Sequence, residues 1–168
     1  MDNVYPVTSF YFSVKVSGNS QASDTVFQEA SGLGKEMGTE DVVSGGENRF
    51  KYRLPTGTSY QNLVLKRGVV VSDSPLVEWC QMTLDGGLSN PVQLKNILLK
   101  LLSPDGTTCM SWNFVKAYPL KWSFGNLKSS EGEVLIETIE FAYQYFEIDD
   151  PRDDQQRYQQ IVRRLRKQ

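Results

Sequence analysis

Histidine is absent from all 168 residues of this chain. Its absence excludes Ser-His-Asp and Cys-His nucleophile systems, zinc sites with histidine ligands and HExxH chemistry. The carboxylates do not replace it, because Glu137 and Glu140 are three apart on a predicted strand and point to opposite faces. A Walker A sequence is also absent. We therefore predict no catalytic residue, no metal ligand and no cofactor.

Cysteine and long apolar runs are scarce. Cys80 and Cys109 are the two cysteines, without a CxxC motif, and they are expected to be free thiols rather than a disulfide framework. No apolar run is long enough to cross a bilayer, and "MDNVYPVTSF" lacks the basic and apolar regions of a secretory signal. The expectation is a soluble protein, made in the cytoplasm, that does not insert into a membrane.

The net charge of −2 conceals a split between the body and the tail. Residues 151–168 carry six basic and two acidic side chains, whereas residues 1–150 carry 12 basic and 18 acidic ones. An acidic body argues against broad nucleic-acid binding, so only the short basic tail is a candidate for it. The length suits one compact domain.

Apolar and polar residues alternate with period two along much of the chain, which indicates half-buried β-strands. The alternation covers 10–16 and 108–114, and it predicts one long strand over 134–148. In that strand Ile139, Phe141, Tyr143 and Tyr145 oppose Thr138, Glu140, Ala142 and Gln144. A one-residue slip between Leu94 and Ile97 predicts a bulge or a strand buried on both faces. The tetrapeptide "SPDG" at 103–106 predicts a hairpin turn.

One helix is predicted among the strands. In "DSPLVEWCQMTL", Ser74 is the expected N-cap, Pro75 occupies the first helical position and Glu78 lies near the positive end of the helix dipole. Leu76, Trp79 and Cys80 form an apolar stripe with Thr83 or Leu84. We expect this helix to pack against one end or side of a barrel.

A polar, glycine-rich stretch covers 38–60. Its flanks predict a projecting hairpin with Gly45-Gly46 at the turn, and a long arm on a small β-domain favours an interaction device. The arm is preceded by "EASGLGKE", whose Gly32, Gly34 and Gly38 do not match GxGxxG. We interpret Gly32 and Gly34 as a hinge that lets the chain leave one strand sharply and start the arm.

The last 18 residues predict a helix of a different kind. Asp150 caps it, acidic residues occupy its first turn and basic residues its last, as the dipole favours. Its apolar side, called here the tail face, falls at i, i+3, i+4 and i+7 and consists of Tyr158, Ile161, Val162 and Leu165. A helix this short is marginal alone in water. It is expected to dock on its own body, on a neighbouring subunit or on another protein.

Several stretches taken in order resemble one family. They are "FYFSVKVSG", "VFQEASGLGKEM", "SGGENRFKYRLP", "NLVLKRG", "LVEWCQ", "WNFVKAYPLKWSF" and "EVLIETIEFAYQYFE", together spanning roughly 8–148. The set resembles the inner tail-tube proteins of contractile phage tails and related contractile injection systems, and by fold also type VI secretion tube proteins. The most specific matches are Ser31-Gly32-Leu33, Gly45-Gly46, 65–68, Trp79 and Pro119 with Trp122.

The resemblance implies a mainly β protein, an antiparallel β-barrel or sandwich with one flanking α-helix, a long extended arm loop and the C-terminal amphipathic helix. Residues 1–148 would form the tube-type domain, with 35–60 as the inter-subunit arm, and 149–168 a helical extension. Such subunits form six-membered rings that stack into a hollow conduit for cargo or DNA. The implied partners are other copies of the chain and the sheath, spike, baseplate and terminator proteins, in a particle made in a bacterial cytoplasm.

Three sets of site residues follow from this interpretation. The predicted inter-subunit or turn residues are Gly32, Leu33, Gly34, Gly45, Gly46, Lys66, Arg67 and Gly68. The predicted lumen-facing residues are Thr138, Glu140 and Gln144, and the predicted partner surface of the tail is the tail face. Typical tube subunits end near residue 148, so the extension suggests a specialised ring near the baseplate. The alternative is a monomeric, small-ligand-binding β-barrel with Trp and Tyr lining a pocket.

Overall fold

The computed structural model describes residues 11–18, 27–43, 45–46, 49–69, 74–87, 89–127 and 132–150. The predictions for 151–168, including the C-terminal helix and the tail face, lie outside the described residues. The described part contains nine strands and one helix in this order: β1 (Tyr11–Val16), β2 (Glu29–Ser31), β3 (Lys35–Val42), β4 (Tyr52–Tyr60), β5 (Leu63–Gly68), α1 (Pro75–Asp85), β6 (Lys95–Leu102), β7 (Thr108–Phe124), β8 (Ile136–Ala142) and β9 (Tyr145–Asp149).

All strand pairs are antiparallel. Seven strands form one sheet in the order β1-β6-β7-β8-β5-β2, with β9 also paired to β7. β3 and β4 form a separate two-stranded sheet. The mainly β fold with one flanking helix, predicted from the alternation and the resemblance, is confirmed.

The long strand β7 organises the main sheet. Its first half pairs with β6 and β9, and its second half pairs with β8. Between the halves, Lys116 adopts a positive φ of 53°, which is rare for a residue with a side chain. The Asn96 side-chain oxygen accepts the backbone N–H of Lys116 at 3.0 Å, which stabilises the bend. The bend directs β8 and β9 to successive halves of the same strand.

The prediction of a single strand over 134–148 is wrong. The chain forms β8, breaks at Tyr143–Gln144 and resumes as β9. The backbone N–H of Gln144 donates to the carbonyl of Val115 at 3.0 Å, next to the bend in β7. The break shifts the alternation by one residue, so Phe146 enters the core and Tyr145 is 40% exposed.

Two local predictions for β6 and its turn agree with the structure. The register between β6 and β7 shifts between Lys95 and Ile97, at the position of the predicted bulge. In the 103–106 turn, Gly106 N–H donates to the Ser103 carbonyl and Ser103 N–H to the Thr107 carbonyl, both at 2.9 Å. This turn joins β6 to β7.

A single core lies between the two halves of the sheet and α1. Its fully buried members include Val14, Leu65, Phe114 and Phe141, which come from four different strands. Helix α1 begins as predicted, because Ser74 Oγ accepts the N–H of Val77 and Pro75 follows the cap. Leu76, Trp79 and Cys80 are its buried residues, and the Trp79 ring stacks on Phe141 with centroids 5.6 Å apart.

Within the described ranges, no helix is both long enough and apolar enough to cross a membrane.

Candidate functional site

The turn between β2 and β3 requires one of the two glycines of "EASGLGKE". Gly32 has φ of +79°, and a Cβ placed there would lie 1.8 Å from the backbone oxygen of Asn62. Any side chain would therefore collide with the loop that joins β4 to β5. Gly34 has no positive φ, and its Cβ would meet only the side chain of Gln61 at 3.2 Å. Leu33 is half-buried and packs against the core.

The predicted arm is a β-hairpin rather than an irregular loop. β3 and β4 pair from Lys35–Tyr60 at the base to Val42–Tyr52 near the tip. The base is attached to the body, because Tyr60 packs edge-on against Tyr143 and Phe146 with centroids 5.9 and 5.6 Å apart. Gly45 and Gly46 lie in a turn beyond the strands; Gly46 has φ of +95°, and no atom lies within 4 Å of a Cβ at either position.

The arm has two different faces. The register shifts between Met37 and Thr39, where β4 carries one more residue than β3. Beyond this bulge one face carries Thr39, Asp41 and Arg53, and Arg53 contacts both others, at 3.3 Å to Thr39 and 3.7 Å to Asp41. The other face carries Glu40, the register partner of Leu54, and the arm row, defined as Val42, Phe50, Tyr52 and Leu54. The Phe50 and Tyr52 rings lie edge to face at 5.2 Å.

The arm row is exposed to an unusual degree for apolar side chains. Phe50, Tyr52 and Leu54 are 50%, 51% and 49% exposed, and Val42 is 39% exposed. β3 and β4 pair with each other and with no further strand among the described residues. Large exposed apolar patches of this kind mark interaction surfaces. The sequence contains a signal for this row, since Phe50, Tyr52 and Leu54 alternate with Lys51 and Arg53.

The segment Lys66-Arg67-Gly68 forms the end of β5 and is not in a turn. All three residues pair with β8, and Lys66 also pairs with β2. Lys66 lies on the face of the sheet that points away from the core, where its Nζ is 2.8 Å from Glu29 Oε1. Gly68 ends the strand, and a Cβ there would lie 3.3 Å from Val134 Cγ1. Arg67 is 1% exposed, so the prediction that it forms a turn or contacts a neighbouring subunit is wrong.

Arg67 belongs instead to a buried polar network. Its Nε donates to Glu137 Oε2 at 2.6 Å, and its Nη2 donates to Ser74 Oγ at 3.3 Å. Glu137 Oε1 also accepts the indole N–H of Trp122 at 2.6 Å. Burial of a charged pair requires such complete hydrogen bonding. The network links β5, β7, β8 and the start of α1, and its role is therefore structural.

Two of the three predicted lumen residues lie on one polar face of the sheet. Register partners form two rows across the strands, here called the polar face: Glu29–Lys66–Thr138–Ser123 and Ser31–Val64–Glu140–Lys121. Glu140 Oε1 accepts a hydrogen bond from Asn62 Nδ2 at 2.7 Å. Gln144 is exposed in the bend after β8, outside these rows.

The polar face and helix α1 lie on opposite sides of the sheet. Phe141, which stacks on Trp79 of the helix, alternates with Thr138 and Glu140 along β8. The two lysines and two glutamates of the polar face balance in charge. Sequence reasoning missed Lys66, Lys121 and Ser123 as neighbours of Thr138 and Glu140, because register between distant strands is not visible in local alternation.

One aromatic cluster joins the arm base to the core. The Tyr143 hydroxyl donates to the Gln61 carbonyl at 2.6 Å, and its ring lies 4.9 Å from that of Phe114. Burial, and to a smaller degree the nearby Tyr60, raises the pKa of Tyr143 above its ordinary value of 10.0. Tyr143 therefore stays protonated at neutral pH and keeps this hydrogen bond. Within the described ranges no three His, Cys, Asp or Glu residues converge as a metal site would require.

The family described as "T4-like virus tail tube protein gp19" matches residues 8–147 of the chain. No curated protein sequence matches it. Among solved structures, a chain in the baseplate of the anti-feeding prophage is similar, with 27% sequence identity and a TM-score of 0.72. That alignment covers 87% of this chain and 97% of the other.

Two further solved structures are similar in fold. A chain of the sheath-tube complex of PVC, an extracellular contractile injection system in its extended state, is 21% identical with a TM-score of 0.72, covering 88% of this chain and 94% of the other. Hcp1 from Flavobacterium johnsoniae is 19% identical with a TM-score of 0.53, covering 84% and 96%. At these identities the likeness concerns the fold alone.

Proposed function

Because the chain belongs to the T4-like virus tail tube protein gp19 family, we propose that its copies form hexameric rings that stack into the hollow inner tube of a contractile injection particle. Family and structural neighbours are structural tube proteins, and the chain is a tail tube protein in that sense. Cargo or DNA would pass through the lumen, and the chain itself would catalyse no reaction.

The observation that carries the proposal is the exposed arm row. Four apolar side chains on a hairpin that projects from the body have no partner surface in the described chain. Burying them against a second copy would remove apolar area from water, at about 25 cal/mol per Å². The opposite side of the arm, where Arg53 contacts Thr39 and Asp41, would remain in water.

The edges of the main sheet support closure by further copies. β1 and β2 end the strand order, and no described strand pairs with their outer edges. Open edges of this kind invite pairing with another chain. A head-to-tail contact between identical subunits gives a closed ring when its rotation closes. Six copies related in this way would satisfy surfaces that one copy leaves exposed.

In such a ring, the polar face of the sheet is our choice for the lumen wall. Its rows combine Thr, Ser, Lys and Glu side chains with Val64, and each row holds one Glu next to one Lys. A wetted wall with balanced charge would not bind passing cargo strongly. Helix α1 would then face outward. Thr138 and Glu140 remain lumen candidates, and we add Lys66, Lys121 and Ser123 to them.

The proposal extends to domains, partners and location. Residues 1–148 are the tube domain with 35–60 as the inter-subunit arm, and 149–168 are an extension. The remaining inter-subunit or turn candidates are Gly32, Leu33, Gly34, Gly45, Gly46 and Gly68. The partners are further copies, the sheath, the spike or baseplate and the terminator, in a particle made in the bacterial cytoplasm. In a narrower form, the chain forms a specialised ring near the baseplate.

We expect Leu54→Asp to abolish ring and tube formation while leaving the subunit folded, because Leu54 lies in the arm row and is 49% exposed. The matched control is Thr39→Asp, which adds the same charge to the opposite face of the hairpin. Electron microscopy and size-exclusion chromatography with light scattering measure assembly, and circular dichroism measures folding. Thr39→Asp should assemble like the unmodified chain.

A folded, unmodified chain that stays monomeric at high concentration would contradict the proposal. That result would favour the alternative, a monomeric β-barrel that binds a small ligand. A groove open to such a ligand has a volume of about 690 Å³ and lies between α1 and residues 90–93, beside Trp79. It lies outside the barrel interior, which Phe114 and Phe141 fill. Assembly by both Asp variants would show instead that the arm row is not the contact.

A further inference from the structure

A second apolar groove lies where β2 faces the strands β1, β6 and β7. Its volume is about 250 Å³. Phe12, Leu101 and Trp112 form one wall, and Leu33 belongs to the other. All four side chains are only partly buried. The groove is an opening in the core, since Leu99 at its floor is 2% exposed.

The apolar surface continues from this groove to the point where the described chain stops. Trp112 and Ile148 are register partners on β7 and β9, so their side chains lie next to each other on the same face. Ile148 is 48% exposed, although it is on the core side of β9 together with buried Phe146. Asp150, the last described residue, is two positions further.

We propose that the predicted C-terminal helix folds back on its own chain and that the tail face covers this groove. The groove is an apolar surface that the described chain leaves open. The tail face is an apolar stripe that has no partner within its own helix. Both belong to one polypeptide, and the joint between them begins beside the groove.

The length of the tail suits this position. From Asp150 to Tyr158 a helix rises about 12 Å, and from Tyr158 to Leu165 about 10 Å more. Crossing from β9 to β1 spans three strand spacings of about 4.8 Å each. The polar first turns, about 12 Å long, would therefore cross β9, β7 and β6. The tail face would begin near β1 and extend about 8 Å beyond it, toward the β2 wall of the groove.

Charge favours the same direction. A helix that runs from β9 toward β2 would bring its basic last turn to the β2 wall of the groove. Glu29 contributes to that wall at the edge of the sheet, and its side chain, which belongs to the polar face, is 52% exposed even though Lys66 is 2.8 Å away. The basic residues of that turn are Arg163, Arg164, Arg166 and Lys167.

The inference is independent of ring formation. The family match ends at residue 147, so the extension is not part of the matched tube sequence. Docking within one chain needs no second copy, and it is tested on unassembled protein. Size-exclusion chromatography establishes the oligomeric state separately, so failure of the tail proposal and failure of the tube proposal give different results.

The test uses the full chain labelled with fluorotryptophan, in the Leu54→Asp background if the unmodified chain assembles. Trp112→Phe assigns one of the three fluorine resonances, and a soluble paramagnetic chelate reports their exposure. The test variant is Ile161→Asp with Leu165→Asp. The matched control is Gln156→Asp with Gln160→Asp, which adds the same charge to the opposite face of the predicted helix.

We expect Trp112 to lose protection from the chelate in the test variant and to keep it in the control, while Trp79 and Trp122 stay unchanged in both. Equal Trp112 protection in both variants would overturn the proposal. Docking between copies is tested by mixing the labelled test variant with unlabelled chain that has an intact tail. Recovery of Trp112 protection in that mixture would overturn docking within one chain.

Discussion

Arg67 and Glu137 form an ion pair inside an otherwise apolar core. Their side chains are 2% and 3% exposed, and the joining Nε–Oε2 distance is 2.6 Å. Ser74 and Trp122 supply hydrogen bonds to the two charges, so each is solvated by the protein instead of water. Removing one partner would leave the other charge buried without compensation, which is the costly case.

Arg67→Met should therefore lower the free energy of unfolding by about 3–5 kcal/mol. The neighbouring Lys66→Met breaks only an exposed pair with Glu29 and should cost about 0–1 kcal/mol. Urea denaturation of unassembled protein measures both values. Similar losses for the two variants would contradict a special role of the buried pair. Combining Arg67→Met with Glu137→Leu should cost less than the sum of the single losses.

At the scale of elements, the turn between β6 and β7 depends on one carboxylate. Asp105 accepts the hydroxyl of Ser103 and the backbone N–H of Thr107, the latter at 3.0 Å. These hydrogen bonds lower the pKa of Asp105 below its ordinary value of 3.8. A lowered pKa in the folded state means that the ionised form stabilises the turn.

This contribution is fully present above pH 3.8 and should be lost as the pH falls through the lowered pKa of the folded state. The amide resonance of Thr107 should report the loss in an acid titration followed by NMR. Asp105→Asn is the control, because it keeps the shape of the side chain but does not ionise. A Thr107 titration that persists in Asp105→Asn would assign the effect to another group.

The arm shows how an element depends on its neighbours. Local glycines and alternation predicted a hairpin around Gly45-Gly46, and the structure has it as β3 and β4. The two faces of the hairpin, however, depend on the bulge near Met37, because one extra residue changes which β4 side chains share a face with β3. No local pattern indicated that bulge.

At the scale of the whole molecule, the main sheet separates two environments. Thr138 and Glu140 point away from the core, and α1 packs on the core side of the same strand. If six copies close a ring with the polar face inward, α1 lies outside the tube. Small molecules would then reach both the polar face and α1, whereas large polymers would reach only α1.

Thr138→Cys in a Cys109→Ser background tests this arrangement. In the tube we expect the new thiol to react with a small maleimide but not with a maleimide on a large polymer, because the polymer does not enter the lumen. Gln81→Cys, on the exposed side of α1, is the matched control and should react with both. Cys80 is buried and contributes little. A Thr138→Cys thiol that reacts with the large reagent in intact tubes would place it outside the lumen.

Local chemistry was sufficient for much of the fold. The cap at Ser74, the apolar stripe of α1, the 103–106 turn and the slip before Ile97 depend on residues close together in the chain, so the sequence predicted them. The absence of histidine excluded whole classes of catalysis without any structure. Gly32 was identified as a hinge from its setting, and its φ of +79° agrees.

Tertiary structure alone decided the rest. The bend at Lys116 and the break at Tyr143–Gln144 arise because β7 pairs with two different strands on one edge, and alternation carries no information about distant partners. The same holds for Arg67, which resembles a surface residue in sequence and becomes buried because Glu137 lies opposite it on β8. The alternation of apolar and polar residues and the capping of a helix depend on residues close together in the chain. Strand register and burial depend on contacts between residues far apart in the chain.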